Sequence, residues 1–267
     1  MAKGKGAKIK KKEEPLRPLS PGREFLYGRN PVLEALRARR RKFYRLILAE
    51  GVKDSPPVSE IVSLASRLGL YPVFMPRERL DSAVPDGSHQ GIILEVSAYP
   101  YSSLEEILQG ESGIILVLDL LQDPQNVGSL LRTAEATGVK GVLIQERNAV
   151  GITPAVVKAS AGAVEHIKVV QVSNLNRALE GLRERGYWIA GLEALPEAQD
   201  LFAVKPPFPL VLVVGSEGKG LRPSVREKCD LLLKLPMEGR VSSLNVAVAG
   251  SIALYWFYRF RPGKEAL

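Results

Sequence analysis

The chain has 267 residues, 45% apolar and 25% charged, a composition that excludes fibre and wholesale disorder and a length that suits two domains of about 100 to 150 residues. One cysteine, Cys229, excludes an intramolecular disulfide framework and fits a reducing cytosol, and no Cys or His cluster has the spacing of a metal site. The net charge of +8 is uneven, because Met1 to Ser20 holds six Lys and one Arg against two Glu, leaving only +3 on the other 247 residues.

The opening MAKGKGAKIKKKEEP is too polar and Gly-rich to bury a core. Residues 1–22 are therefore expected to form a disordered basic tail, able to neutralise phosphates or simply to keep the chain soluble. It lacks the apolar middle of a secretion signal, and Glu13 and Glu14 argue against a mitochondrial leader. Residues 23–97 then read as a small α/β domain. Asn30 caps a helix through about Arg40 with Pro31 in its first turn. A strand at Tyr44–Ala49, a helix at Pro57–Leu68, a strand at Tyr71–Phe74, a helix at Arg77–Ala83 and a strand at Gly91–Val96 follow. The basic run Arg37, Arg39, Arg40, Arg41 and Lys42, followed by Phe43, Tyr44 and Arg45, lies at a helix end. Cations are favoured there by the helix dipole alone, so the run does not establish a nucleic-acid surface.

Residues 98–112 read as a linker with one short helix, and 113–262 as a second domain. Its apolar runs Ile114–Leu118, Gly141–Ile144, Ile167–Val172, Tyr187–Gly191, Leu210–Val214 and Leu231–Leu235 alternate with helical patterns at Gln125–Thr137, Thr153–Ala161, Asn174–Arg185 and Pro223–Lys228. That alternation predicts a mostly parallel sheet with helices on both faces, binding its ligand beyond the strands' carboxyl ends. Val241–Phe260 is the most apolar stretch, but Ser242, Ser243, Asn245, Gly250 and Ser251 interrupt it and Arg259 and Arg261 close it. It is expected to be a buried helix rather than a membrane span.

The common nucleotide and hydrolase signatures are missing. No G-x-G-x-x-G follows a strand, Gly220 of GSEGKG is followed by Leu221 rather than a P-loop lysine, and there is no G-x-S-x-G elbow. His89 and His166 are read as structural. Three other segments follow strands: N-V-G-S-L-L-R-T-A-E-A-T-G from Asn126, V-V-G-S-E-G-K-G-L from Val213 and L-P-M-E-G-R-V-S-S-L-N-V-A-V-A from Leu235. In this order they resemble the signature motifs of the SpoU-type RNA 2′-O-ribose methyltransferases of the SPOUT superfamily. Y-G-R-N-P-V-L-E-A-L from Tyr27 and S-H-Q-G-I from Ser88 resemble the amino-terminal RNA-binding domain of the same enzymes, and the likeness is greatest to the bacterial 23S ribosomal RNA guanosine-2′-O-methyltransferases.

The resemblance implies methyl transfer from S-adenosylmethionine to a ribose 2′-hydroxyl, in a cytoplasmic homodimer whose carboxyl-terminal chain forms a trefoil knot. It assigns Gly215, Leu235, Met237, Ser243 and Leu244 to the cofactor and Arg132, Asn126, Glu217 and Asn245 to catalysis. Positioning supplies much of the rate of such a transfer, about 7 kcal/mol or more when aligned. Arg132 is expected to bind RNA phosphate and stabilise developing alkoxide charge, since a guanidinium is a poor base. Bland readings stand beside these: core for Leu235 and Leu244, a turn for Gly215, a solvated surface group for Arg132, a first-turn or cap position for Asn126, a first-turn position for Asn245, a turn cap for Glu217, and an N-cap for Ser243. The alternatives in function are a tRNA 2′-O-methyltransferase and a non-catalytic ribosomal RNA-binding module.

Overall fold

A computed structural model describes residues 16–84, 88–110, 113–241 and 243–262. Of the expected tail, residues 1–15 lie outside the described residues. Leu16 is already buried, with its N–H on Ser82 Oγ at 2.9 Å, and the Leu19 N–H bonds the Glu95 carboxylate at 2.7 Å.

The first sheet has the order β1-β4-β2-β3, from β1 (Arg23–Tyr27), β2 (Phe43–Ala49), β3 (Pro72–Met75) and β4 (Ile92–Ser97). β4 runs antiparallel to both β1 and β2, while β2 and β3 are parallel. The two-residue alternation of β2 sorts its side chains. Leu46 and Leu48 face α1 (Arg29–Ala38) and α2 (Pro56–Arg67), and Ile47 and Ala49 face Leu80 of α3 (Arg77–Ala83). β1 was not among the expected strands, and α1 starts from Gly28 at φ 92° rather than from Asn30, which falls in its first turn. His89 is buried and structural, as expected: it accepts the Gly91 N–H at Nδ1 (2.9 Å), so Nε2 donates to Asp81 (2.7 Å).

The second sheet has seven strands, all parallel, in the order β7-β6-β5-β10-β8-β11-β9. They are β5 (Ile114–Leu118), β6 (Gly141–Gln145), β7 (Val169–Val172), β8 (Trp188–Leu192), the two-residue β9 (Gln199–Asp200), β10 (Leu210–Val214) and β11 (Leu231–Lys234). β5, β6 and β10 are buried at every position, which is why they read as unbroken apolar runs. Helices cover both faces, as expected. α5 (Pro124–Ala136), α6 (Pro154–Ala159) and α9 (Val246–Tyr258) lie on one side, and α4 (Leu104–Leu108), α7 (Leu175–Glu184) and α8 (Pro223–Arg226) on the other. β10 is inserted between β5 and β8, and β11 between β8 and β9, so the chain twice returns into a sheet already laid down.

The segment 98–110 carries the expected short helix, α4, and packs closely: Tyr99 is buried, donates to the Ile167 carbonyl at 2.6 Å, and Ser103 and Glu106 form a reciprocal capping box on α4. The basic run divides. Arg37 pairs with Glu34 and Glu60 on the surface, whereas Arg40 turns inward to the carbonyls of Pro100 and Ile167. Arg41, its side chain fully buried, pairs with the equally buried Glu165 at 2.8 Å, so these cations hold the small domain against the large one. The last helix is shorter than expected and not wholly buried. It starts at Asn245, and Val248 and Tyr255, seven residues apart on one stripe, are 48% and 53% exposed. No helix among the described residues is long and apolar enough to cross a membrane.

Candidate active site

β10 delivers its chain to a tight loop. Ser216 and Gly220 exchange backbone hydrogen bonds of 3.1 and 3.0 Å, and Gly218 and Gly220 take φ of 75° and 64°. A Cβ on Gly215 would collide with the Gly220 carbonyl and lie 2.6 Å from the Leu221 nitrogen. Gly215 is therefore required by the folding of the loop on itself, and its expected role of admitting a ligand is secondary to that. Gly220 is under a similar constraint, because a Cβ there would lie 2.6 Å from Glu193 Oε1. Glu193 follows β8 and receives both Nε and Nη2 of Arg226 at 2.8 and 2.7 Å, a bidentate pair tying α8 to the end of β8. Asp119, buried at the end of β5, accepts the Arg222 backbone N–H at 3.0 Å and its Nε at 2.7 Å, fixing the exit of the same loop.

Across from this loop lie the chain after β11 and the start of α9. Between them opens a cleft of about 770 Å³ over the carboxyl ends of β8, β10 and β11, the place where an open parallel sheet seats its ligand. It is lined by all five residues expected to hold the cofactor, Gly215, Leu235, Met237, Ser243 and Leu244. Ser243 is not a helix cap and Leu244 does not open α9. Both precede Asn245, whose Oδ1 caps the helix by accepting the N–H groups of Ala247 (2.9 Å) and Val248 (3.3 Å).

The amide nitrogen of Asn245 makes the central contact of the site. It donates to Asn126 Oδ1 at 2.9 Å and to Glu217 Oε1 at 2.8 Å, joining residues 119 and 28 positions away. Asn126 sits in the first turn of α5, whose cap is Asp123. Three of the four residues expected to be catalytic thus meet at one edge of the cleft. The fourth does not. Arg132 is exposed, does not line the cleft, and sits roughly 240° around the helix from Asn126, since each residue turns an α-helix by about 100°. Its neighbour Thr133 bonds Ser251 of α9 at 2.8 Å, while Arg132 points to solvent and not into its own chain's cleft.

The cleft fits a molecule with an apolar ring system and cationic ends. Its volume is in the range of small-molecule sites. Leu192, Val214, Leu235, Leu244 and Val246 give apolar walls, and Glu217 adds a carboxylate that suits a sulfonium or ammonium. Lys219 and Lys234 supply cations for a carboxylate, while Glu193 and Arg226 neutralise each other in the wall. Glu193, Arg226 and Lys234 were not among the expected site residues. The one available signal was Glu193, the first charged residue after the apolar run of β8.

The large domain is thus a parallel sheet with a glycine-walled cleft at its strand ends, joined to a small α/β domain. Residues 113–255 match the SpoU rRNA methylase family and residues 25–102 match the RNA 2′-O ribose methyltransferase substrate-binding domain. The Bacillus subtilis (strain 168) protein YacO, assigned to the TrmH family of tRNA/rRNA methyltransferases, is 42% identical over 248 residues, covering 91% of this chain and 98% of that one. The fold is that of the SpoU methyltransferase AviRb from Streptomyces viridochromogenes in complex with AdoMet, at a TM-score of 0.75 and 23% identity, covering 89% of this chain and 90% of that chain. A. aeolicus TrmH/SpoU tRNA modifying enzyme aligns with a TM-score of 0.52 and 28% identity over 61% of this chain and 86% of its own. The chain belongs to the SpoU methylase family and is an RNA methyltransferase.

Proposed function

We propose that this protein uses S-adenosylmethionine to methylate a ribose 2′-hydroxyl of RNA, on a guanosine of 23S ribosomal RNA, as a cytoplasmic homodimer. The observation that carries the reading is the Asn126–Asn245–Glu217 bridge at the edge of a cleft lined by Gly215, Leu235, Met237, Ser243 and Leu244. S-adenosylmethionine, when bound, supplies the electrophilic methyl carbon. The chain's own residues do the rest by orientation. The loop 215–220 and the chain after β11 would hold the donor between them. The bridge then fixes hydrogen-bonding groups at the cleft edge, where a ribose hydroxyl would be held in line with the methyl group. Glu217 uses Oε1 on Asn245 and offers its carboxylate to the hydroxyl proton.

Arg132 keeps its proposed role as a clamp on RNA phosphate and on developing alkoxide charge. Because it faces away from its own cleft, that role belongs to the dimer. The uncovered stripe of Val248 and Tyr255 on α9 is the surface proposed for the second subunit. The domain boundaries at 23–97 and 113–262, and a trefoil knot formed where β10 and β11 re-enter the sheet, belong to the same proposal. The separate first domain, matched to a substrate-binding family over residues 25–102, favours ribosomal RNA over tRNA. Transcripts of 23S ribosomal RNA and of tRNA offered side by side with labelled donor test the reading. Methylation of the ribosomal transcript is expected, and labelling of tRNA alone would replace the substrate.

A further inference from the structure

The half of the basic run that does not hold the domains together has its own arrangement. β2 carries a bulge: Phe43 pairs with Val96 and Arg45 with Glu95, so Tyr44 is an extra residue between two consecutive partners on β4. A bulge re-aims the side chain it carries, and Tyr44 is 37% exposed. The Arg23 guanidinium lies over its ring, 3.7 Å from the centroid. Glu95, fully buried, holds this group in place. It pairs with Arg23 at 3.5 Å and Arg45 at 3.0 Å and accepts the Leu19 N–H at 2.7 Å. Arg17, whose carbonyl accepts from Arg45 at 3.3 Å, and Lys42 are exposed beside it. The nearby Glu24 is turned away to Arg41, so the surface presented outward is cationic around an aromatic ring.

We propose that Tyr44 with its stacked Arg23 is a docking point for an unpaired base of the RNA substrate, with Lys42 and Arg17 following the adjoining phosphates. The proposal rests on the RNA methyltransferase reading and assigns it a second contact, remote in sequence from the cleft. A flat ring carrying a guanidinium is what a splayed base stacks on. Exposed cations beside it suit a phosphate chain, whereas an acidic protein surface would need the charges and not the ring.

The test measures binding of a single-stranded RNA oligonucleotide to the full chain, with S-adenosylmethionine binding and melting temperature as controls of folding. Tyr44→Ala is expected to weaken RNA binding about tenfold or more, Tyr44→Phe to change it less than about twofold, and Lys42→Gln to lower the salt slope of binding by about one. RNA carrying 4-thiouridine should crosslink to the peptide containing residues 42–45. Equal affinity of wild type and a folded Tyr44→Ala, or crosslinks that avoid this peptide, would overturn the proposal. Should Tyr44→Ala fail to fold, Lys42→Gln and the crosslink still decide it. Wild-type protein that binds RNA without methylating it would contradict the proposed function, while the binding comparison would still judge the docking point.

Discussion

Asn245 serves two purposes with two ends of one side chain. Its oxygen caps α9 and its nitrogen joins Asn126 to Glu217, and substitutions separate the two. Asn245→Asp keeps an oxygen for the cap and removes the donor, placing a carboxylate against Glu217. Its melting temperature should stay within a few degrees of wild type while methyl transfer falls by about a hundredfold or more. Asn245→Ala should lose activity as well and also about 1 kcal/mol of stability, visible as a lower denaturation midpoint. An active Asn245→Asp would remove the bridge from the chemistry. Gly215→Ala is a different kind of lesion. Its Cβ meets the loop's own backbone, so donor affinity measured by titration should fall together with stability. At Arg132, which touches nothing in its own cleft, alanine should leave donor binding intact and reduce methylation by orders of magnitude.

At the scale of elements, the turn between α1 and β2 fastens the two domains. Arg41 and Glu165 are both fully buried. Glu165→Gln removes one of the two carboxylates on the Arg41 guanidinium and leaves it Glu24, so a loss of about 1.5–3 kcal/mol in chemical denaturation is expected. Tyr99 of the same interface titrates unusually: burial, opposed by Arg40, pushes its phenol up to about 12 from 10.0. The folded protein then keeps a proton that the unfolded chain releases above pH 10. Stability from this group is complete below that pH and is lost as pH rises toward 12, about 2–3 kcal/mol in all. Wild type should lose that increment relative to Tyr99→Phe across this window, and parallel curves would refute it.

These elements also show what a linear reading can reach. Leu210–Val214 and Ile114–Leu118 are legible because a strand buried on both faces must be apolar throughout. β9, two residues long, and β1, whose first two residues are charged, carry no comparable pattern. Arg40 and Arg41 could not be told from solvated cations, because the contacts that join them to the large domain, with Ile167 and Glu165, lie more than 120 residues away. The cleft-lining glycines and leucines were legible only through the resemblance of their motifs. The separation of Arg132 from Asn126 follows from ideal helix geometry and was open to the sequence, whereas the insertion of β10 between β5 and β8 leaves no trace in periodicity.

For the molecule as a whole, the proposed dimer would cover the exposed stripe on α9 and bring Arg132 to a partner's cleft, so the single chain would be incomplete as a catalyst. Tyr255→Asp should yield monomers in sedimentation and lose methylation with them, while the cleft still binds the donor. The most direct test of the central claim follows the methyl group itself. Protein is incubated with RNA and methyl-labelled S-adenosylmethionine, and the RNA is then hydrolysed with alkali, which cleaves after every nucleotide except one whose 2′-oxygen is blocked. Label is expected in alkali-resistant dinucleotides, and to vanish with Asn245→Asp. Label in mononucleotides, carried on a base, or no transfer to RNA at all, would contradict it.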